Sequence, residues 1–429
     1  MLRHALVPAA ILLAPGCVDT VEEPALATVE RAAELPFSRE HVAGDVFHYA
    51  VTIPVGDAPN ARLRIHRIVR EQAPWRPRPT ATAAMLLHGD FATFVTNFAP
   101  SLGDAGSPVS GLAPFLAARD VDVWGVDRRW TVPSAPDADV SDFADMGVVQ
   151  ETDDIGRALA FARAARAATD SGAGRIALVG FSHGAQLAYV YAAVEGGRPA
   201  AQRHVRALAA LDVYAEIAPE DAALRDFACA NSAFEYDAVA QGVIDAPNDF
   251  QIALGQLDRA APDDPSPLFE GSTNRQAILT ILGTTYLFVP FTPLYHLAAP
   301  VLDAAGQPSD LRETSFAAVD AWFAGAPPHQ SMREAADLDA LWCGSSPPPI
   351  AAPLSQIRVP VLYLGAAGGF GEHGLFTLTR LGTRDVTVRI AHRFGADRVA
   401  EDVGHGDLLY ATDAAALAWQ PLATWLVHH

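Results

Sequence analysis

Apolar positions along this chain follow two alternating rhythms. Ala84-Met85-Leu86-Leu87, Val121 to Val126, Arg175 to Val179 and Val205 to Leu211 are nearly continuous runs without the polar alternation of a half-exposed strand. Such runs fit strands buried on both faces of a parallel sheet. Between them lie stretches with apolar residues at helical spacing: Leu112 to Ala118, Asp153 to Ala168, and Ser182 to about Val194. Upstream, Asp45 to Pro54 and Ala61 to Glu71 alternate as two paired strands, with Asp57, Pro59 and Asn60 supplying the turn. Glu71 to Pro79 holds three prolines and reads as a loop. Strand and helix alternate, which predicts an α/β fold: a mostly parallel central sheet with helices on both faces.

The alternation stops after Asp212. The following stretch reads as helical with interruptions such as Ala261-Pro262-Asp263-Asp264-Pro265, and the sheet pattern resumes at Val359 to Leu364. Asp385 to Ile390 is a last strand and Leu408 to Val427 a last helix. An insertion between two late strands is a usual place for a cap over a site. The organisation expected is residues 1–17 a signal peptide, 18–40 a tether, 41–214 the first part of the core, 215–355 a helical cap and 356–429 the second part of the core. Pro347-Pro348-Pro349 marks the return from the cap.

Composition narrows the classes of function. Half of the 429 residues are hydrophobic and 19% are charged, enough for a sizeable core. The formal charge of −20 and the lack of any basic run argue against nucleic acid as a partner. At the N-terminus, Arg3 and His4 precede a short apolar run, Ala5 to Ala14, with the shape of a signal-peptide core. Pro15-Gly16-Cys17 follows and resembles a lipoprotein cleavage site, with Ala14 where a Leu is expected. Export is therefore expected, to the periplasm or outer membrane as a lipoprotein attached through a lipidated Cys17, or as a secreted protein. Cys229 and Cys343 would then be the two remaining thiols, and an oxidising compartment favours a disulfide between them.

The chemistry concentrates at Gly180-Phe181-Ser182-His183-Gly184, where a strand ends and a helix begins. A G-x-S-x-G pentapeptide there makes so tight a turn that the serine hydroxyl stands off the sheet edge, which makes Ser182 the candidate nucleophile. A serine needs a base. His405, in Val403-Gly404-His405-Gly406-Asp407, is one of fourteen histidines but is placed between the last strand and the last helix. An oxyanion needs two N–H donors. The backbone of His183 is one candidate, and the backbone of Asp90, after Leu87-His88-Gly89, is the other, with Phe91 less favoured. The Asp90 carboxylate is expected to turn away from that oxyanion.

His88-Gly89-Asp90, Asp122 to Arg128, Gly180 to Gly184 and Gly404 to Leu408 resemble, in order and spacing, the acid lipase-like and esterase branch of the α/β-hydrolases. The resemblance covers about 85–130, 150–212 and 358–428 and implies a serine hydrolase acting on carboxylic esters. The chain departs from that pattern at the triad acid. After Val361 to Leu364 comes Gly365-Ala366-Ala367-Gly368-Gly369-Phe370-Gly371-Glu372-His373, with glycine where the Asp is customary. Two carboxylates are open as replacements: Glu372 in that loop, and Asp212 at the end of the preceding strand, which its rigid position slightly favours.

The expected ligand is a small-molecule ester with an apolar acyl part, with no metal and no organic cofactor required. Ile278 to Leu282 and Tyr286 to Phe291 are candidates for an acyl pocket, though a cap core accounts for them as well. Arg128-Arg129-Trp130 could steady a substrate carboxylate or form a structural ion pair. An acyltransferase or thioesterase on the same scaffold, and a catalytically silent ligand-binding lipoprotein, are the alternatives.

Overall fold

The structure, a computed structural model, describes residues 37–285, 296–347 and 349–429. The sheet strands are β1 (Phe37–Ala43), β2 (Val46–Pro54), β3 (Arg62–Ala73), β4 (Arg76–Pro77), β5 (Thr82–Leu87), β6 (Val121–Asp127), β7 (Ile176–Phe181), β8 (Val205–Leu211), β11 (Val361–Ala366) and β12 (Val386–Ala391), with β9 (Pro300–Leu302) and β10 (Pro308–Leu311) forming a separate ribbon. They lie in the order β1-β2-β3-β6-β5-β7-β8-β11-β12, with β4 paired to β3. From β6 to β12 every pairing is parallel, and β1, β2 and β3 join antiparallel at the other side.

The continuous apolar runs are buried from end to end in β6, β7 and β11. Successive residues feed two cores. Ala84, Leu86, Val123 and Val179 pack on one face, while Ala83, Met85, Trp124 and Leu178 pack on the other. That is the period of two of a pleated strand with both faces covered. The helices that cover them include α1 (Phe94–Phe98), α2 (Leu112–Ala117), α3 (Val148–Ala168), α4 (His183–Gly196) and α10 (Gln420–His428).

Between β8 and β11 the chain leaves the sheet. It forms α5 (Ala222–Ala240), α6 (Asp249–Ala260), α7 (Asn274–Gly283), the β9–β10 ribbon, α8 (Phe316–Ala324) and α9 (Met332–Cys343). The insertion is thus not wholly helical. The ribbon's strands are only three and four residues long and each begins with proline, so no alternation announces them. Three other expectations need correction. Residues 37–40 belong to β1 rather than to a tether, because they pair with β2. The loop expected from Glu71 is in part β3 and β4, which Glu71 and Pro77 pair across. The last helix is interrupted after Tyr410, where Ala411 bridges back to Thr314. The segment expected to be a signal peptide, residues 1–17, and residues 18–36 lie outside the described residues, as do Tyr286 to Phe291.

Cys229 on α5 and Cys343 at the end of α9 form a disulfide across 114 positions of sequence. Closing so long a loop removes much entropy from the unfolded chain. Replacing both cysteines by serine is expected to cost about 2–5 kcal/mol of stability, read as a lower urea midpoint than that of the oxidised parent.

Candidate active site

Strand β7 delivers Phe181 and the chain turns at once into α4. Ser182 sits at the turn with φ +55° and ψ −136°, a strained backbone for a residue with a side chain. Its N–H is anchored to the carbonyl of Leu211 at 3.1 Å. The turn is sterically closed: a Cβ on Gly180 would collide with the backbone of Gly184 and Ala185, and one on Gly184 with the carbonyls of Leu87 and His88. The hydroxyl therefore stands at the N-terminus of a helix of 14 residues.

Asp212 follows β8 and is fully buried, with φ +50°. One carboxylate oxygen accepts the N–H groups of Ala366 (2.8 Å) and Gly371 (2.9 Å). The other accepts Phe370 N–H (3.1 Å) and meets His405 Nδ1 at 2.8 Å. Four donors fill the acceptor capacity of a carboxylate. Glycine at 369 in this loop has a physical reason: a side chain there would run into the Asp212 carboxylate. Glu372, the other candidate, is exposed on a short turn (Gly371–Gly374) and has no hydrogen bond with His405.

His405 is buried and held on both sides. Its N–H donates to the carbonyl of His296 at 3.1 Å, and Gly404 and Gly406 are tied to Asp407 and Leu297. The ring stacks on Phe181 at 4.5 Å and meets the edge of Phe370 at 5.5 Å. Held to Asp212 through Nδ1, His405 lines the same cavity as Ser182.

The loop after β5 is pinned by Asn97 on α1. Asn97 Oδ1 accepts Gly89 N–H at 2.8 Å, and its amide nitrogen donates to Tyr410 at 2.9 Å. Phe91 N–H is occupied by Gln330 Oε1 at 2.9 Å. Among the described residues the amides of Asp90 and His183 are engaged by no other protein group. The Asp90 side chain pairs with the imidazole of His183 and accepts Gln330 Nε2 at 2.9 Å. Burial opposes charge on both, but each stabilises the other: the Asp90 carboxyl lies below its ordinary range and the His183 imidazole above its own. Gln330 and Asn97 carry no motif, and no sequence signal marks either of them.

Arg128 proves structural. It is buried, pairs with Glu334 and donates to the carbonyls of Gly89 (2.7 Å) and His88 (3.1 Å). Arg129 is paired with Asp154 at 2.6 Å.

A cavity of about 450 Å³ opens beside Ser182. The core contributes Asp90, Phe181, His183, Phe370 and His405, and the insertion contributes Leu224, Phe227, Phe250, Leu254, Trp322 and Trp342. Of the apolar run 278–282, Ile281 lines this space while Ile278 and Leu282 are buried in a core.

Among solved structures, the chain resembles a Sulfolobus solfataricus protein described as a candidate lipase. The TM-score is 0.61 at 16% identity, covering 92% of this chain and 99% of that one. The chain has the α/β-hydrolase fold. Within that α/β-hydrolase frame the likeness concerns the scaffold and leaves the chemistry to the residues. A soluble variant of monoglyceride lipase from Saccharomyces cerevisiae has a TM-score of 0.43 at 11% identity, covering 91% of this chain and 94% of that one. The Cif epoxide hydrolase from Acinetobacter nosocomialis has a TM-score of 0.40 at 10% identity, covering 90% of each chain. Neither bears on the chemistry. No protein-family model and no curated protein sequence matches the chain.

Proposed function

We propose that this chain is a serine hydrolase that cleaves carboxylic esters through an acyl-enzyme on Ser182. The observation that carries the reading is the Asp212–His405 pair at 2.8 Å, set beside a cavity that Ser182 also lines. In the first step His405 takes the hydroxyl proton, Ser182 Oγ bonds to the ester carbonyl carbon, and the carbonyl oxygen becomes an oxyanion facing the amides of His183 and Asp90. The intermediate expels the alkoxide, which receives the proton from His405. In the second step His405 deprotonates a water, which attacks the acyl carbon; the C–Oγ bond then breaks, Oγ takes the proton back from His405, and the acid and the free serine are released. Asp212 orients the imidazole and stabilises its cation. No step calls for a metal or an organic cofactor.

The Sulfolobus protein's description as a candidate lipase agrees with this reading. The silent ligand-binding alternative drew on the missing customary acid, and Asp212 beside His405 supports the hydrolase reading over it. We further infer work in an oxidising compartment after export, which the disulfide supports. Membrane attachment through Cys17 stays part of that proposal.

The test is hydrolysis of p-nitrophenyl esters from acetate to palmitate. A largely apolar cavity of about 450 Å³ should favour the middle of the series and discriminate against palmitate. Equal rates for wild type and Ser182→Ala on every ester would overturn the proposal and move the ligand-binding or specialised-acyl-donor reading to first place.

A further inference from the structure

The two residues whose backbones flank the oxyanion position also touch through their side chains. We infer that the Asp90 carboxylate and the His183 imidazole, gripped from the insertion by Gln330, form a clamp that sets the two oxyanion amides and so governs the chemical step. The inference rests on the acyl-enzyme reading above and makes Asp90, His183 and Gln330 positioning residues through their side chains.

Three observations carry it. First, the contact joins two separate elements, the loop after β5 and the first residue of α4, and both its partners line the reaction cavity. Second, the amide of Gln330 holds the loop at two successive residues: Nε2 donates to Asp90 Oδ1 and Oε1 accepts Phe91 N–H, each at 2.9 Å. Gln330 is 2% exposed, and Asp245 receives its backbone N–H at 3.2 Å. Third, Phe91 stands at φ +46°, a left-handed conformation that a bulky residue keeps only when its surroundings enforce it. Oxyanion stabilisation depends on donors fixed in direction before charge develops. A charged pair tying the two donor-bearing residues in a partly dry site meets that need, and neutralising either partner slackens both amides together.

The charged surroundings define a pH signature. His183 faces Asp90 from the loop, Glu235 from α5, and Asp339 and Glu334 from α9, with Arg128 behind Glu334 and Asp90. Burial disfavours the imidazolium, but the Asp90 charge raises His183 above its ordinary value. The charged pair is thus complete above the lowered Asp90 value and dissolves as pH rises through the raised His183 value, giving an alkaline limb. Burial pushes Glu235 up to about 8 and Asp339 up to about 6, so each also titrates within the profile. Glu235→Gln and Asp339→Asn separate them, since each should retain the limb.

The experiment measures kcat and KM for p-nitrophenyl butyrate across pH in the wild type, Asp90→Asn, His183→Gln, the double variant and Ser182→Ala. Each single variant should lose about 10–100-fold in kcat, with KM within about threefold of wild type. The double variant should be no worse than the poorer single one, because both break the same contact. The alkaline limb should vanish in His183→Gln. Asp90→Glu, which keeps the charge, should recover part of kcat, and it replaces Asp90→Asn should circular dichroism show the latter unfolded. Single variants with kcat within threefold of wild type, losses that multiply in the double variant, or a limb that survives His183→Gln would each overturn the clamp. A wild type no faster than Ser182→Ala defeats the acyl-enzyme reading itself. That result is read before any clamp variant is compared, and the clamp falls with it.

Discussion

Ser182→Ala should lower kcat on p-nitrophenyl butyrate by about 10⁴–10⁶-fold while leaving the fold intact. The size of the loss follows from what remains. Without Oγ there is no acyl-enzyme, and catalysis is left to the amides of His183 and Asp90 acting on a direct attack by water, which retains about 10³–10⁴ over solvent. Structure argues for a folded variant. Ser182 is half-buried at the cavity, and what anchors it is its backbone N–H to Leu211 and the closed packing of Gly180 and Gly184, none of which alanine disturbs. The measurement pairs kcat with a thermal melt and with labelling by a fluorophosphonate. Loss of labelling at an unchanged melting temperature assigns the effect to the nucleophile, whereas a variant still within tenfold of wild type would dismiss Ser182.

Asp212→Asn is the second large effect, and it has two parts. For catalysis, an amide in place of the carboxylate cannot hold His405 in the tautomer that accepts from serine, and a loss of about 10⁴-fold in kcat is expected. For stability, each oxygen of Asp212 serves two donors: Ala366 and Gly371 on one, Phe370 and His405 on the other. Whichever way the asparagine turns, two buried donors face an NH₂ group, at about 1–3 kcal/mol for each group left unsatisfied. The urea midpoint should therefore fall together with activity. Glu372→Gln, on an exposed turn, should change kcat by less than about twofold and leave the midpoint unmoved. The opposite pattern, with Glu372→Gln crippled and Asp212→Asn active, would hand the acid role to Glu372.

What could be read from the chain was what two-sided burial or a tight turn writes into it. Runs such as Ala84 to Leu87 and Ala207 to Leu211 are apolar at every position because both faces are covered, and they mark the parallel strands. Gly180 and Gly184 are imposed by collisions with neighbouring backbone, so the elbow is visible as a motif. The acid was ambiguous because its choice depends on a three-dimensional fact, the room beside His405. Glycine where the acid is customary is as consistent with a lost acid as with one arriving from β8. Gln330 and Asn97 act through side-chain hydrogen bonds to the loop after β5, which leave no period and no spacing. The β9–β10 ribbon, with its short proline-led strands, is equally silent.

The disulfide has a bearing on how the chain withstands cutting. Ser182 and Asp212 precede the insertion and His405 follows it, so a break within the insertion divides the three between two polypeptides. Cys229 and Cys343 stand near the two ends of that same insertion. A peptide bond severed anywhere between them leaves the halves covalently tethered at the cavity's rim, with the sheet able to keep its neighbours β8 and β11 in register. In an oxidising medium the nicked chain stays one molecule. In a reductant only the sheet and its packing hold the two parts, each carrying an incomplete set.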